Sequence, residues 1–90
     1  MSLVTSKTPT LDLHGEVSAL VEVLVNEFIK ENYHLKNDTL VIIHGKSSNI
    51  LKNEVHRVLK ENKYVENYKL DNWNIGSTIV NLKDWLFLLL

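Results

Sequence analysis

The feature that most limits what this chain can fold into is a run too short to be a helix and too apolar to be a loop, Thr39-Leu40-Val41-Ile42-Ile43. Consecutive β-branched and aliphatic residues over this length fit a central strand covered on both faces, and His44-Gly45 ends it. Ahead of it Val17, Leu20, Val21, Leu24, Val25, Phe28 and Ile29 recur at the i, i+3, i+4, i+7 spacing of a helix. That stripe predicts a helix from Glu16 with an all-core face, Ser18, Glu22, Asn26, Lys30 and Glu31 on the opposite side, and a loop over 32–38. After it, Lys46 to Asn49 is turn-like, Ser48 or Asn49 is a suitable N-cap, and Leu51, Val55, Val58 and Leu59 mark a second amphipathic helix.

At the front, Leu11-Asp12-Leu13-His14 alternates apolar and polar and stops at Gly15, a short strand with Asp12 and His14 on one side. At the back, Tyr64 to Trp73 and Ser77 to Leu82 should pair as a hairpin across Asn74-Ile75-Gly76. The order βαβαββ predicts a two-layer α/β (α+β) domain, two helices against a mixed four-stranded sheet, with the first two strands parallel through a right-handed crossover.

Ninety residues suffice for one core, and 44% hydrophobic with 23% charged residues is the balance of a globular chain. Residues 1–10 read as a flexible polar leader, 11–83 as the domain, and 84–90 as an apolar tail. The absence of cysteine removes disulfides, cysteine nucleophiles and thiolate metal sites, and suits a cytoplasmic location. A spanning helix needs about 20 apolar residues, so the run Trp85-Leu86-Phe87-Leu88-Leu89-Leu90 predicts no membrane insertion. A net charge of −1 excludes a strong general polyanion binder, so any nucleic-acid contact must rest on a local patch.

His14-Gly15 and His44-Gly45 both close strands just before helices, at the sheet edge where α/β ligands bind. A helix N-terminus there favours a phosphate oxygen. The histidines are candidates for proton transfer near neutral pH. Asp12 is suited to orient an imidazole, hold a metal or activate water. Gly45 permits close backbone approach, and Lys46 and Lys52 are placed to neutralise phosphate.

Leu-Asp-Leu-His-Gly followed about thirty residues later by a strand ending in His-Gly resembles the two signature motifs of the Smr (small MutS-related) domain, and 76–82 resembles its closing strand. The resemblance covers roughly residues 11 to 83. It implies a fold similar to the C-terminal domain of bacterial translation initiation factor three, binding of DNA or RNA, and endonuclease activity of the kind several members have, in repair or RNA and ribosome quality control. It places Asp12, His14 and Gly15 in one half of the site and His44, Gly45 and Lys46 in the other, with Ser47 next to them a candidate contact to the nucleic acid. The chain departs from the family's His-Gly-x-Gly and following Leu-Arg by carrying Ser47, Asn49 and Lys52.

No cofactor is required by these residues, and a divalent metal such as Mg or Mn is an optional assistant. The rival readings are a non-catalytic nucleic-acid adaptor and a protein-interaction module in which Trp85 to Leu90 joins a partner or a second copy. Two further features have both a structural and a binding interpretation. Lys52, His56 and Lys60, with Arg57 and Lys63, form either a basic ridge or a solvated face interleaved with Glu54 and Glu61. Trp73, Tyr64 and Tyr68 either stack on bases or pack within the hairpin.

Overall fold

The computed structural model describes residues 4–47 and 49–84. The N-cap expected at Ser48 and the contact surface expected at Trp85 to Leu90 lie outside them. The elements run β1 (Thr10–Asp12), a 3-10 turn (Ser18–Leu20), α1 (Val21–His34), β2 (Thr39–Ile43), α2 (Asn49–Glu61), β3 (Val65–Leu70) and β4 (Ser77–Leu82). The four strands form one mixed sheet in the order β1-β2-β4-β3, with β1 parallel to β2 and the other pairs antiparallel. The expected order and class of fold are those observed. No helix among the described residues is long and apolar enough to cross a membrane.

Strand parity places the core. Leu40 and Ile42 of β2 lie opposite Val80 and Thr78 of β4. Leu40, Ile42, Val80 and Leu82 then meet Val21, Val25, Ile29 and Tyr33 of α1 and Leu51, Val55, Val58 and Leu59 of α2 in one buried cluster. Burial of such side chains stabilises by roughly 1.5–3 kcal/mol each, so this cluster is what holds the helices on the sheet.

The helical stripe is correct from Val21 onward but not at its start. Gly15 has φ +80°, the Glu16 N–H donates to the Leu13 carbonyl, and the Val17 N–H donates to the Glu16 carboxylate. The backbone is therefore still turning where the periodicity begins. Val17 is extended and 58% exposed, and Leu20 is 44% exposed, so neither belongs to the core. Val17→Ser should change stability by no more than ~0.5 kcal/mol in a urea melt; a loss of ~2 kcal/mol, as for a buried valine, would restore Val17 to the core.

At its other end α1 runs on to His34 instead of dissolving at Asn32. Tyr33 continues the stripe, and Asn32 tolerates burial because its amide donates to the Phe28 carbonyl and its side-chain oxygen accepts from Asn37. The helix then closes with Asn37 N–H on the Asn32 carbonyl and Lys36 N–H on the Tyr33 carbonyl. Lys36 has φ +64°, the left-handed position that ends a helix by satisfying its last carbonyls. Strand boundaries also shift. β1 covers Thr10–Asp12 instead of Leu11–His14 because the chain turns at Asp12, and β3 ends at Leu70 because Asp71 opens the turn. The β3–β4 register slips between Val65 and Asn67, a bulge at Glu66.

Candidate functional site

Asp12 of β1 pairs with Ile43 of β2, so two parallel neighbours release the chain at the same edge of the sheet. The Leu13 N–H donates to the Ile43 carbonyl, a last rung before both chains turn. Gly15 (φ +80°) and Gly45 (φ +91°) make those turns in a region that side-chain-bearing residues rarely adopt. A Cβ on Gly45 would lie 3.6 Å from His14 Cδ2, so the two His-Gly turns touch. The β3–β4 turn completes the assembly. The Gly76 carbonyl accepts the N–H groups of both His44 (2.8 Å) and Gly45 (3.0 Å). A Cβ there would come within 3.0 Å of Lys46 Cγ and 3.1 Å of the Gly45 carbonyl carbon.

The result is an open cleft of about 370 Å³, with His14, Gly15, Glu16, Gly45, Ser47 and Ile50 among its lining. One helix N-terminus, that of α2, borders it through Ser47 and Ile50. α1 itself begins six residues after Gly15, and on that side the cleft is bordered by Ser18, the first residue of the 3-10 turn that leads into α1.

Within this frame the candidate residues divide. His14 is exposed at the cleft. Asp12 Oδ1 accepts the His14 backbone N–H at 2.9 Å, so one carboxylate oxygen shapes the turn that carries His14. Lys46 and Ser47 are exposed and Lys52 is half-buried on α2. Among the described residues no three imidazole or carboxylate side chains converge on a point that could hold a metal ion.

His44 is different, with only 1% of its surface exposed. Its Nδ1 lies 3.2 Å from the Gly45 carbonyl and its Nε2 2.9 Å from Thr78 Oγ1. His56 Nε2 lies 2.8 Å from the same hydroxyl, with the two rings edge-to-face at 5.9 Å. Because a carbonyl only accepts, His44 carries its proton on Nδ1 and its Nε2 is the acceptor. Thr78 then donates to His44 and accepts from His56 Nε2–H, which fixes a directed chain from His56 through Thr78 and His44 to the Gly45 carbonyl. Burial lowers the His44 pKa, the bond to Gly45 opposes this, and the Lys52 charge lowers it further. Burial also lowers the His56 pKa, with His44 and then Lys52 adding to the effect. Both shifts favour the neutral ring.

The basic ridge is not formed as a ridge. His56 turns inward onto Thr78, and Arg57 is engaged by Glu54 (2.8 Å), Glu61 (2.9 Å) and Glu22 (3.2 Å). Tyr64 and Tyr68 pack against the core, as cross-strand aromatics do, but Trp73 is 96% exposed. The sequence singles out no role for Thr78, places His56 on a helix face and Gly76 in the hairpin turn, and does not bring the three to the site. The signal for the first was available: Thr78 holds the inward parity of Val80 and Leu82, and His44 that of Leu40 and Ile42, so two polar groups occupied core-facing places.

A family model described as the Smr domain matches residues 11–83. Among curated proteins, the chain is similar to the endonuclease MutS2 of Clostridium acetobutylicum, 31% identical over 81 residues, covering 87% of this chain and 10% of that protein. The endonuclease MutS2 of Halothermothrix orenii is 30% identical over 77 residues, covering 86% and 10%. The chain thus spans about a tenth of the length of these relatives. Among solved structures, the Smr domain of Thermus thermophilus MutS2 superposes with a TM-score of 0.80 at 26% identity, covering 84% of this chain and 99% of that one. YdaL, a stand-alone small MutS-related protein from Escherichia coli, gives 0.80 at 26% identity, covering 88% and 70%.

Proposed function

This chain belongs to the Smr domain family, and from that premise we propose that it binds the phosphodiester backbone of DNA or RNA in the cleft at the β1–β2 edge and cleaves it there. The observation that carries the proposal is the meeting of the two His-Gly turns at adjacent strand ends, with Lys46 and the N-terminus of α2 beside them. The similarity to MutS2 proteins named as endonucleases supports the chemical step.

His14 carries the proton. As the solvent-facing imidazole of the cleft it takes a proton from the attacking hydroxyl or water while the new P–O bond forms, and returns it to the oxygen that leaves as the old one breaks. Gly45, whose own N–H is held by the Gly76 carbonyl, leaves room for the phosphate, and Lys46 with the backbone of Ser47 stabilises the added charge of the transition state. Asp12 positions His14 through its backbone, and His44 serves as a neutral strut under Gly45. Lys52 adds positive potential behind the site. A divalent ion that assists would be held mainly by substrate phosphates and water, since no protein cage forms among the described residues.

The test is binding of labelled single-stranded RNA, single-stranded DNA and duplex DNA across a salt series, followed by cleavage with and without Mg or Mn. Lys46→Ala should weaken binding to all three and reduce the slope of log affinity against log salt by about 0.7–0.9, the loss of one phosphate contact. An unchanged slope would remove Lys46 from the interface, and absence of binding by the native chain would remove the proposal. The adaptor reading is favoured by one observation. Ser47 puts a side chain at the cleft where the family pattern has glycine, and it is the correct reading if binding is seen without cleavage under any condition.

A further inference from the structure

Trp73 exposes 96% of its surface and its neighbour Ile75 61%, on the turn whose Gly76 rests against Gly45 and Lys46. A tryptophan is rarely left this bare, because it forgoes a large burial contribution. Local propensity does not demand it either, for the turn is held by its polar neighbours. Asp71 Oδ1 accepts the Trp73 N–H at 2.9 Å and Asn74 Oδ1 the Gly76 N–H at 3.0 Å. Ser77 N–H donates to the Asn74 carbonyl, and Asp71 N–H to the Ser77 carbonyl. The same turn is tied to the cleft by the two bonds that Gly76 accepts from His44 and Gly45. Trp73 is therefore presented on a braced hairpin tip, within three peptide units of a residue touching the phosphate-facing loop, at most about 11 Å of chain.

We infer that Trp73 is a stacking platform for an unpaired nucleobase, so that the cleft recognises single-stranded segments of DNA or RNA in preference to uninterrupted duplex. The inference rests on the proposed nucleic-acid function and adds to it the form of the substrate. Three features favour a base over a protein surface as the occupant. The turn that carries Trp73 abuts, through Gly76, the Gly45-Lys46 loop beside the cleft, so a strand leaving the cleft along that turn passes a lysine and then the exposed indole. The braced turn fixes the backbone that carries the ring before binding, which reduces the ordering cost. A π-face tolerates every base, which suits a domain whose other contacts are to phosphate. In a duplex the bases are stacked on one another, and the indole gains nothing.

The experiment compares the native chain, Trp73→Ala and Trp73→Phe for binding to a single-stranded oligonucleotide and to a hairpin-free duplex of the same length, with far-UV circular dichroism as the fold control. Stacking on an exposed aromatic predicts a loss of roughly 5–100-fold in single-strand affinity for Trp73→Ala, a smaller loss for Trp73→Phe, and duplex affinity unchanged. The native chain should also show tryptophan quenching on single-strand binding that Trp73→Phe lacks. If Trp73→Ala binds single strands as tightly as the native chain, the platform is refuted while the cleft stands, and the exposed indole belongs to a protein contact. Equal losses on single strand and duplex also refute it. If the native chain binds neither nucleic acid, the functional proposal and this inference fall together.

Discussion

His14→Ala is expected to slow strand cleavage by about 10²–10⁴-fold, the usual contribution of a positioned general acid–base, with thermal stability within ~0.5 kcal/mol of the native chain, as for an exposed residue. His44→Ala should behave oppositely. It removes a buried ring whose two nitrogens engage Thr78 and the Gly45 carbonyl, so its activity loss should follow unfolding and recover in part at lower temperature. The contrast matters because the two histidines occupy equivalent places in sequence, each closing a strand before a glycine. If His14→Ala cleaves at the native rate, His14 is not the proton carrier. If His44→Ala is as stable as the native chain, the strut does not exist.

Thr78→Val should be among the most destabilising single-atom changes available to this protein. Valine keeps the shape but removes the hydroxyl that serves two imidazoles at once, leaving His44 Nε2 without a donor and His56 Nε2–H without an acceptor. A stranded buried group costs about 1–3 kcal/mol, the half-buried His56 adds less, and a loss of roughly 2–4 kcal/mol corresponds to a fall in Tm of about 10–25 °C for a domain of this size. Thr78→Ser, which keeps the hydroxyl and loses a methyl, should lie between the two.

The pH dependence of stability reports on the same network. Both imidazoles titrate below their ordinary value in the folded state, first because of burial. The unfolded chain therefore binds protons first as pH falls. Stability is full above about pH 6.5, where unfolded imidazoles are neutral, and declines below it with a slope of at most ~1.4 kcal/mol per pH unit per histidine. Glu54, whose pKa is lowered by its hydrogen bond to Arg57, adds its own loss only at lower pH. Urea melts from pH 7.5 to 5.5 should show the decline in the native chain and a shallower one in His56→Gln. A flat profile would mean that the two imidazoles accept protons as readily in the folded chain as in the unfolded one.

The parts of the fold that were legible in the sequence are those in which a single period dominates. β2 and β4 were bounded correctly because β-branched runs stopped at polar turns, and the parallel pairing of β1 with β2 followed from the intervening helix. The start of α1 was not legible, because Val17 and Leu20 keep helical spacing while Gly15 and Glu16 hold the backbone in a turn, and hydropathy cannot register φ. In the site, the meeting of the two His-Gly turns followed from strand order. The burial of His44 beside an exposed His14 did not, since it depends on Thr78 and His56, one contributed by the last strand and the other by the opposite layer. Such convergence of distant residues has no linear spacing to read. Trp73 misled for the opposite reason: an aromatic in a hairpin normally packs across it, and only the loop's own polar bonds release this one from doing so.

The sheet order has one more consequence, for the behaviour of the protein at high concentration. An open sheet offers its outer strands to any neighbouring chain, and long flat outer strands seed intermolecular β-pairing. Here one outer strand, β1, is three residues long and ends where Asp12 bends it. The other, β3, carries the Glu66 bulge, so a second ladder on that side would have to skip a residue. The same irregularities that shorten the strands in the fold also protect it from polymerising through them.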